Sequence, residues 1–237
     1  MEPIRDLKQL EALVKEKETP KMSVAYAQDE DTILAVDRAV KEKIVDAILV
    51  GDKDIIVEKC KSLDIDPNSF EIVHEPNEKK SGEVAVRLIV DKKADVLMKG
   101  LISTPYFLKA LLNKEFNLIP KGSLLSHTAL IDVPTYDKLL IVSDVAMIPA
   151  PTLQQKIQIV NFNIKIANQL GIKDPKVALI TANEKVSDKM EATMEAAIIS
   201  KMADRKQIKG GIIDGPLALD VAISPKACEI KGLKSPV

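Results

Sequence analysis

The feature that most constrains the fold of this chain is a repeated alternation of short, almost wholly apolar runs with longer amphipathic runs. The apolar runs have the length of buried strands, and the amphipathic runs repeat apolar residues at helical spacing. Strand, helix and strand in this order form the unit from which parallel sheets are built. The sequence therefore predicts an open α/β fold whose sheet is covered by helices on both faces.

The first half of the chain follows this alternation regularly. The predicted strands lie at 22–27, 45–50, 70–74 and 96–98. The predicted helices lie at 6–15, 31–43, 54–63, 77–93 and 104–113. Two further apolar segments, 126–132 and 138–143, are joined by a proline-containing turn, which indicates a hairpin.

The second half resumes the alternation after a proline-marked connector at 145–151. Its predicted elements are a long helix at 152–171, a strand at 176–180, a helix at 187–205 and a strand at 208–213. Gly171 is expected to end the long helix, because glycine adopts the left-handed conformation that often follows a helix.

The connector is the predicted domain boundary. It divides the 237 residues into an N-terminal α/β domain at 1–143 and a second α/β domain at 144–237, a length sufficient for two modest cores. The final residues, 230–237, contain no closing helix or strand. The second domain is therefore expected to be incomplete.

Charge and composition argue against several classes of partner. The chain has 34 basic and 35 acidic residues and a formal net charge of -1, so binding to a nucleic acid backbone or an anionic membrane is not expected. Aromatic residues make up only 3%, with no tryptophan, which leaves little material for base stacking. No apolar run approaches the roughly 20 residues that cross a bilayer. Any anion must be bound by a local site.

The cysteines and histidines indicate neither disulfides nor a metal site. Cys60 and Cys228 are far apart in sequence, and no signal peptide precedes the charged first residues. A reducing cytoplasm is the expected location. Neither His74 nor His127 has another histidine or a cysteine at metal-ligand spacing, so no metal is predicted.

The most informative segment for chemistry follows the fourth predicted strand and reads VLMKGLISTP. The strand runs into Gly100, and Thr104 then caps a helix whose first position is proline. Free backbone N–H groups and the hydroxyls of Ser103 and Thr104 would converge there, which favours an anion site at the carboxyl edge of the sheet. The segment fits equally well an alternative in which Thr104 is only a cap and Lys99 only a surface charge.

Two more clusters carry polar groups. Ser123, Ser126 and His127 lie in and just after a predicted loop, where ligand-binding groups are common, but for this cluster alone a turn serine and a strand histidine are the favoured interpretation. Asp144 ends a predicted strand at the entrance to the connector, where clefts form. Asp214 and Asp220 could share a divalent ion, but a turn and a surface carboxylate are the simpler interpretation.

These segments resemble the phosphate acetyltransferase and phosphate butyryltransferase family, and the butyryl branch more closely. The resemblance is carried, in the family's order, by LVGD at 49–52, MKGLIST at 98–104, SDVAMIPAPT at 143–152, KVALI at 176–180 and DGPLALDVAIS at 214–224. It implies a two-domain, three-layer α/β/α fold of the isocitrate and isopropylmalate dehydrogenase type. It also implies a homodimer that transfers a short acyl group between coenzyme A and phosphate, with coenzyme A as substrate and no bound cofactor.

The family chemistry implies roles for particular residues. A coenzyme A thiol attacks an acyl phosphate, so the protein must align two reactants, stabilise an oxyanion and neutralise the departing phosphate. Asp144 and Ser126 are the expected catalytic residues, with Asp144 orienting a neighbour or helping to deprotonate the thiol. The expected contacts to phosphate or acyl phosphate are Gly100, Ser103, Thr104, Ser123 and His127.

Two departures from the family bear on the mechanism. Acetyl-transferring relatives often have cysteine after this aspartate, whereas this chain has Val145, which favours direct transfer over a covalent acyl-enzyme. Relatives are also longer, and their C-terminal part brings further residues to the cleft, so activity depends on whether the chain ends at 237. The alternatives are an NAD-dependent decarboxylating hydroxy-acid dehydrogenase of the related fold and a noncatalytic binding fragment.

Overall fold

The computed structural model of the chain describes residues 2–237 and contains two compact units. One unit runs from Lys8 to Ser123, and the other is formed by Leu124–Val237 together with residues 2–7. The first unit has one sheet and the other has two, and each unit has its own apolar core.

The unit at 8–123 is built on a four-stranded parallel sheet. Its strands are β1 (Lys21–Ala25), β2 (Asp46–Gly51), β3 (Glu71–His74) and β4 (Val96–Lys99). Their order across the sheet is β3-β2-β1-β4, and every pairing is parallel. The order of the strands therefore reverses at β1, since β2 and β3 lie on one side of it and β4 lies on the other. Open α/β sheets bind ligands beside the carboxyl ends of the strands at such a switch point.

The helices of this unit follow the strands in the order that the sequence predicts. They are α1 (Leu7–Lys15), α2 (Glu30–Lys41), α3 (Lys53–Ser62), α4 (Glu78–Val90) and α5 (Thr104–Leu111). Side-chain caps fix where some of them begin. Asp29 accepts a hydrogen bond from the Thr32 N–H at the start of α2, and Asn77 accepts one from the Lys80 N–H at the start of α4.

The two faces of this sheet pack against different helices. One apolar cluster contains Val24, Leu49, Ile33 of α2 and Ile56 of α3. The other contains Ala25, Val50, Ala85 of α4 and Ile102. Successive strand residues point to opposite faces, so the two clusters lie on opposite sides of the sheet. Each fully buried aliphatic side chain contributes about 1.5–3 kcal/mol. The prediction of a parallel sheet with helices on both faces is confirmed for this unit.

The other unit contains a hairpin and a second parallel sheet. The predicted hairpin is confirmed as the antiparallel pair β5 (Ala129–Ile131) and β6 (Leu140–Val142). The parallel pair consists of β7 (Lys176–Ile180) and β8 (Ile212–Leu217). The helices are α6 (Leu153–Gln169), α7 (Glu191–Asp204), α8 (Leu219–Ile223) and α9 (Pro225–Lys231). The core of this unit is formed by Val160, Ile164, Ile199, Ile208 and Ile213.

Helix α6 (Leu153–Gln169) lies within the predicted helix at 152–171, and Gly171 is the end signal that the sequence indicates. Thr152 and Gln155 form a capping box at its start. Gly171 follows its end with φ of 84°, and a Cβ there would lie 2.9 Å from the Glu2 carbonyl oxygen. Glycine is therefore required at this position for two independent reasons.

The last strand is not where the sequence predicts it. The sequence predicts a strand at 208–213, whereas β8 covers Ile212–Leu217. Gly210 has φ of 89°, which interrupts an extended chain. Gly215 lies inside this strand. Glycine is needed there because a Cβ would come within 2.6 Å of the Leu179 Cβ, and the β7–β8 register shifts at this point. The glycine thus marks a close packing contact inside a strand.

Two helix assignments also differ from the sequence prediction. Helix α7 begins at Glu191 and not at 187, because the Thr193 hydroxyl accepts a hydrogen bond from the Ser187 N–H and holds the preceding residues in a turn. The short helices α8 and α9 are not predicted from the sequence, since each covers too few residues for an apolar period to be visible.

The compact units divide between Ser123 and Leu124, ahead of the predicted domain boundary at 143/144. Segment 124–143 therefore packs with the residues that follow it. Compact units and independently folding domains are different quantities, so the domains at 1–143 and 144–237 stay a prediction. Within residues 2–237, no helix is both long enough and apolar enough to cross a membrane.

Candidate active site

The loop after β4 is held against the end of β1. The Gly100 N–H donates to the Ala25 carbonyl and the Leu101 N–H to the Tyr26 carbonyl, each at 3.0 Å. A Cβ on Gly100 would lie 2.8 Å from the Ala25 oxygen and 2.9 Å from the Tyr26 oxygen. Only glycine permits this approach, and the Gly100 N–H has a protein acceptor. Gly100 therefore shapes the predicted anion loop by lacking a side chain.

Helix α5 begins at Thr104, the first residue of the predicted helix at 104–113, but Thr104 is not its cap. Its N-cap is Ser103, whose side chain makes no capping hydrogen bond, and proline occupies the second helical position. Thr104 is the first helical residue and is exposed. Because proline has no N–H, the first turn offers the N–H groups of Thr104 and Tyr106 as donors that lack a partner within the helix.

A carboxylate occupies part of this helix start. The Ser103 N–H donates to Glu78 Oε1 at 2.7 Å, and Glu78 is the first residue of α4. The sequence predicts that this N–H is free for an anion, and the structure gives it a protein acceptor. The contact leaves the Ser103 hydroxyl and the two first-turn N–H groups as the donors of the loop, with a negative charge beside them.

Ser123 lies in a turn of the same unit. Its N–H donates to the Pro120 carbonyl at 3.0 Å, and Gly122 has φ of 85°. Ser123 is exposed. This geometry agrees with the simpler interpretation of Ser123 as a turn residue, and its contact to phosphate stays a prediction.

One oxygen of Asp144 joins two of the other predicted residues. The Ser126 hydroxyl donates to Asp144 Oδ2 at 2.8 Å, and the His127 N–H donates to the same oxygen at 2.9 Å. Ser126 and His127 precede β5, and Asp144 follows β6, so the hairpin brings its two ends together at this carboxylate. The structure thus places Ser126, His127 and Asp144 in one cluster within the unit at 124–237.

The other oxygen of Asp144 organises the loop that follows. The N–H groups of Ala146 and Met147 donate to Asp144 Oδ1 at 2.9 Å and 2.7 Å. The N–H of Ile148 lies 3.3 Å from the same oxygen. The carboxylate therefore ties the apolar loop at 145–148 to the residues that precede the hairpin.

These contacts determine the protonation state of Asp144. Burial acts to raise the pKa of its carboxyl group, and this effect is outweighed by hydrogen bonds from the N–H groups of Met147, His127 and Ala146 and from the Ser126 hydroxyl. The pKa of Asp144 lies well below its usual range as a result. A carboxylate that is this hard to protonate is a poor proton acceptor at neutral pH.

A second polar cluster adjoins Asp144, and it is not predicted from the sequence. The Thr128 and Ser143 hydroxyl oxygens lie 2.7 Å apart, and both hydroxyls contact Asn163 Oδ1 of α6, at 3.3 Å and 3.1 Å. Asn163 lies between the buried Val160 and Ala167, on the apolar stripe of its helix. A polar residue on that stripe is the signal that could have revealed the cluster.

The carboxylates of Asp214 and Asp220 do not share a site. Asp214 Oδ1 accepts hydrogen bonds from its neighbour's N–H, that of Gly215, at 2.8 Å and from the Ser200 hydroxyl at 3.2 Å. Asp220 pairs at 3.1 Å with Lys231, which also pairs with Glu184. Among residues 2–237, no three His, Cys, Asp or Glu side chains are grouped so that they could hold a metal ion.

Comparison with known proteins identifies the family. The family model described as "Phosphate acetyl/butaryl transferase" matches residues 7–90 and 77–237. The chain belongs to this family. It is 47% identical over 234 residues to a phosphate butyryltransferase of Clostridium acetobutylicum, an alignment that covers 99% of this chain and 77% of that relative. It is 38% identical to a phosphate acetyltransferase of Thermotoga maritima, over 92% of this chain and 73% of the relative.

A solved structure of similar fold supports the same assignment. The branched-chain phosphotransacylase from Enterococcus faecalis V583 superimposes with a TM-score of 0.79 at 29% identity, covering 92% of this chain and 76% of the other. The mixed α/β fold with parallel sheets is therefore confirmed, and so are the family and the acyltransferase class. The comparisons do not favour the dehydrogenase alternative. The roles of individual residues stay predictions.

Proposed function

We propose that this chain transfers a short-chain acyl group, butyryl in preference to acetyl, between coenzyme A and inorganic phosphate. The observation that carries the proposal is the 47% identity to a phosphate butyryltransferase over 99% of the chain. The identity to a phosphate acetyltransferase is lower, at 38%. The parallel sheets also support the finer assignment of the fold to the isocitrate and isopropylmalate dehydrogenase type.

The proposed reaction is direct attack in a ternary complex. The coenzyme A sulfur forms a bond to the acyl carbon, the bond from that carbon to the phosphate oxygen breaks, and phosphate leaves with the electron pair. The thiol proton ends on the departing phosphate, so no external acid or base is consumed. The protein contributes by holding both reactants in line and by stabilising the negative oxygen that develops on the acyl carbon.

The residue after Asp144 and the burial of Cys60 support transfer without an acyl-enzyme. Val145 and not cysteine follows Asp144. Cys60 is fully buried in the core of the unit at 8–123, and burial raises the pKa of its thiol. A protonated, inaccessible thiol is a poor nucleophile.

The loop at Gly100–Thr104 is the proposed phosphate-binding element. It follows β4 beside β1, where the strand order makes a ligand crevice most favourable. The Ser103 hydroxyl and the first-turn N–H groups of α5 supply donors, and the positive end of the helix dipole stabilises the bound charge. Ser123 and His127 remain proposed phosphate contacts on the weaker basis of the family resemblance.

Asp144 is proposed to act on the geometry of the site and not as the base that takes the thiol proton. Its low pKa and its five hydrogen bonds support this role. It holds Ser126 and His127 and shapes the loop at 145–148. Ser126 then has a fixed position, and its oxygen faces the carboxylate.

Location and assembly belong to the proposal as well. Both cysteines are free thiols, which supports a reducing cytoplasm. A homodimer is proposed from the family resemblance. The proposed partners are therefore coenzyme A, phosphate or acyl phosphate, and a second copy of the chain.

Ligand binding and turnover test the function. Coenzyme A and butyryl phosphate are each expected to raise the melting temperature by several degrees, and NAD with Mg²⁺ is expected to have no effect, because only bound ligands stabilise the folded state. Release of free thiol from butyryl-coenzyme A with phosphate measures turnover separately. A response to NAD with Mg²⁺ alone would favour the dehydrogenase, and binding without thiol release would favour a noncatalytic protein.

Opposite changes in phosphate affinity are expected from two substitutions at α5. Glu78→Gln keeps an oxygen that can accept from the Ser103 N–H and removes a negative charge, so the KM for phosphate should fall by about three- to tenfold. Ser103→Ala removes a donor and should raise the KM for phosphate by about tenfold. The KM for coenzyme A serves as the internal control. Equal changes in both KM values, or an increase with Glu78→Gln, would contradict phosphate binding at this loop.

A further inference from the structure

A groove lies along the outer edge of the four-stranded sheet, between α3 and β3. Its volume is about 380 Å³, and it is lined by Val57, Pro67, Phe70, Ile72, Lys53 and Lys61. Phe70 and Ile72 lie two residues apart in extended chain, so they share a face of the sheet. Lys53, Val57 and Lys61 are spaced by four residues, so they share a stripe of α3. The groove is therefore formed by one stripe of α3, by Ile72 of β3 and by the residues just before that strand, which include Asn68.

The two lysines of the groove are not engaged in ion pairs in the part of the chain that the structure describes. Lys53 and Lys61 are exposed, and within residues 2–237 neither forms an ion pair. Lys59 of the same helix, in contrast, pairs with Glu30 at 2.8 Å. Positive charges beside an apolar lining favour an occupant that is both acidic and apolar.

The backbone of β3 offers hydrogen-bond donors and acceptors along the outer edge of the sheet. Among residues 2–237, β3 pairs with β2 and with no other strand, so it is an edge of the sheet. An edge strand presents unpaired N–H and C=O groups that another extended segment can match. A groove between an edge strand and a helix suits the mode of recognition in which a peptide adds a strand to a sheet.

The spacing along α3 matches that of an extended peptide. Residues four apart on a helix are separated by about 6 Å along its axis. Alternate residues of a strand, which point to the same face, are separated by about 6.6 Å. Lys53, Val57 and Lys61 therefore correspond to positions i, i+2 and i+4 of a strand. The backbone positions of the two lysines are about 12 Å apart along the helix axis, so two separate acidic groups can pair with them.

We propose that this groove binds an extended segment of a partner protein in which acidic residues at i and i+4 flank an apolar residue at i+2. The acidic side chains pair with Lys53 and Lys61, the apolar side chain packs on Val57, and the backbone adds to β3 as a fifth strand. The inference does not depend on the proposed transferase function, because no residue of the candidate active site lines the groove.

Fluorescence anisotropy with the labelled peptide GTETVTETG tests the proposal on the full chain. Binding with a Kd on the order of 100 µM or tighter is expected. The double variant Lys53→Glu/Lys61→Glu should weaken binding at least tenfold and should bind the charge-reversed peptide GTKTVTKTG instead. The double variant Lys93→Glu/Lys114→Glu changes the net charge equally at exposed positions outside the groove and should bind like the parent chain.

Two further measurements separate strand addition from simple charge attraction. A peptide with N-methyl groups on alternate backbone nitrogens should lose binding at least tenfold, and hydrogen exchange of the β3 amides should slow in the presence of GTETVTETG. No binding at 1 mM peptide, equal loss in both double variants, or displacement of the peptide by coenzyme A would overturn the proposal. Melting temperatures of the variants, measured in parallel, confirm that each is folded.

Discussion

Replacement of Asp144 by alanine is expected to lower kcat/KM about a hundredfold and to lower the free energy of unfolding by about 3 kcal/mol. The carboxylate accepts hydrogen bonds on both oxygens, from residues before the hairpin and from the loop after it. Alanine leaves those donors without an acceptor and frees the loop at 145–148. Steady-state kinetics and urea unfolding measure the two effects.

The pH profile distinguishes a positioning role for Asp144 from a role as general base. Asp144→Asn keeps the size of the side chain and should reduce kcat/KM without changing the shape of its pH dependence between pH 5 and 9. A base that is lost on mutation would remove a limb of that profile. Loss of the acidic limb in Asp144→Asn, with unfolding unaffected, would assign the proton transfer to Asp144.

The stability conferred by Asp144 should also depend on pH in a defined sense. Its pKa in the folded protein is lowered, and an aspartate in the unfolded chain titrates near pH 3.9. The stabilisation is therefore fully present above about pH 4 and is lost as the pH falls toward the folded pKa. The difference in unfolding free energy between the parent chain and Asp144→Asn should be largest near neutral pH and should shrink below about pH 4.

Replacement of Gly100 by alanine is expected to cost about 3 kcal/mol of stability and to raise the KM for phosphate about tenfold. The added Cβ would meet two backbone oxygens, those of Ala25 and Tyr26, at 2.8 Å and 2.9 Å. Backbone cannot swing aside as a long side chain can, so the loop must move away from β1 and carry Ser103 with it. Urea unfolding and the KM for phosphate report the two consequences.

Gly232→Ala is the matched control for this substitution. Gly232 has φ of 63°, and no heavy atom lies within 4 Å of the position that a Cβ would occupy, so alanine there meets strain without a clash. We expect Gly232→Ala to lower the free energy of unfolding by about 1 kcal/mol and to leave the KM for phosphate unchanged. Similar losses of unfolding free energy in Gly100→Ala and Gly232→Ala would show that the contact with β1 does not restrict the loop after β4.

The sequence by itself predicted the elements that depend on local pattern. Strand β7 lies at 176–180 as predicted, and Gly171 follows the end of α6 in the left-handed conformation, also as predicted. Apolar periodicity, caps and left-handed glycines act within a few residues, so they can be read along the chain. The strand at 208–213 was misplaced because Gly215 reads as a turn until its contact with Leu179 is known.

The candidate site was predicted in its residues and only partly in its chemistry. The motifs pointed to Ser103, Ser126 and Asp144. They could not show that Glu78 accepts from the Ser103 N–H, or that Asp144 has five donors and a lowered pKa. Most of these contacts join residues many positions apart, and no local pattern encodes which of them meet.

What the sequence determined about this protein is therefore its family, its α/β class and the positions of most helices and strands. The tertiary structure alone decided the strand order β3-β2-β1-β4, the edge position of β3 and the charge state of Asp144. The physical reason is the separation along the chain of the residues that determine each property. Secondary structure follows from the spacing of side chains along a few turns, whereas pairing, burial and protonation depend on neighbours that only the folded chain supplies.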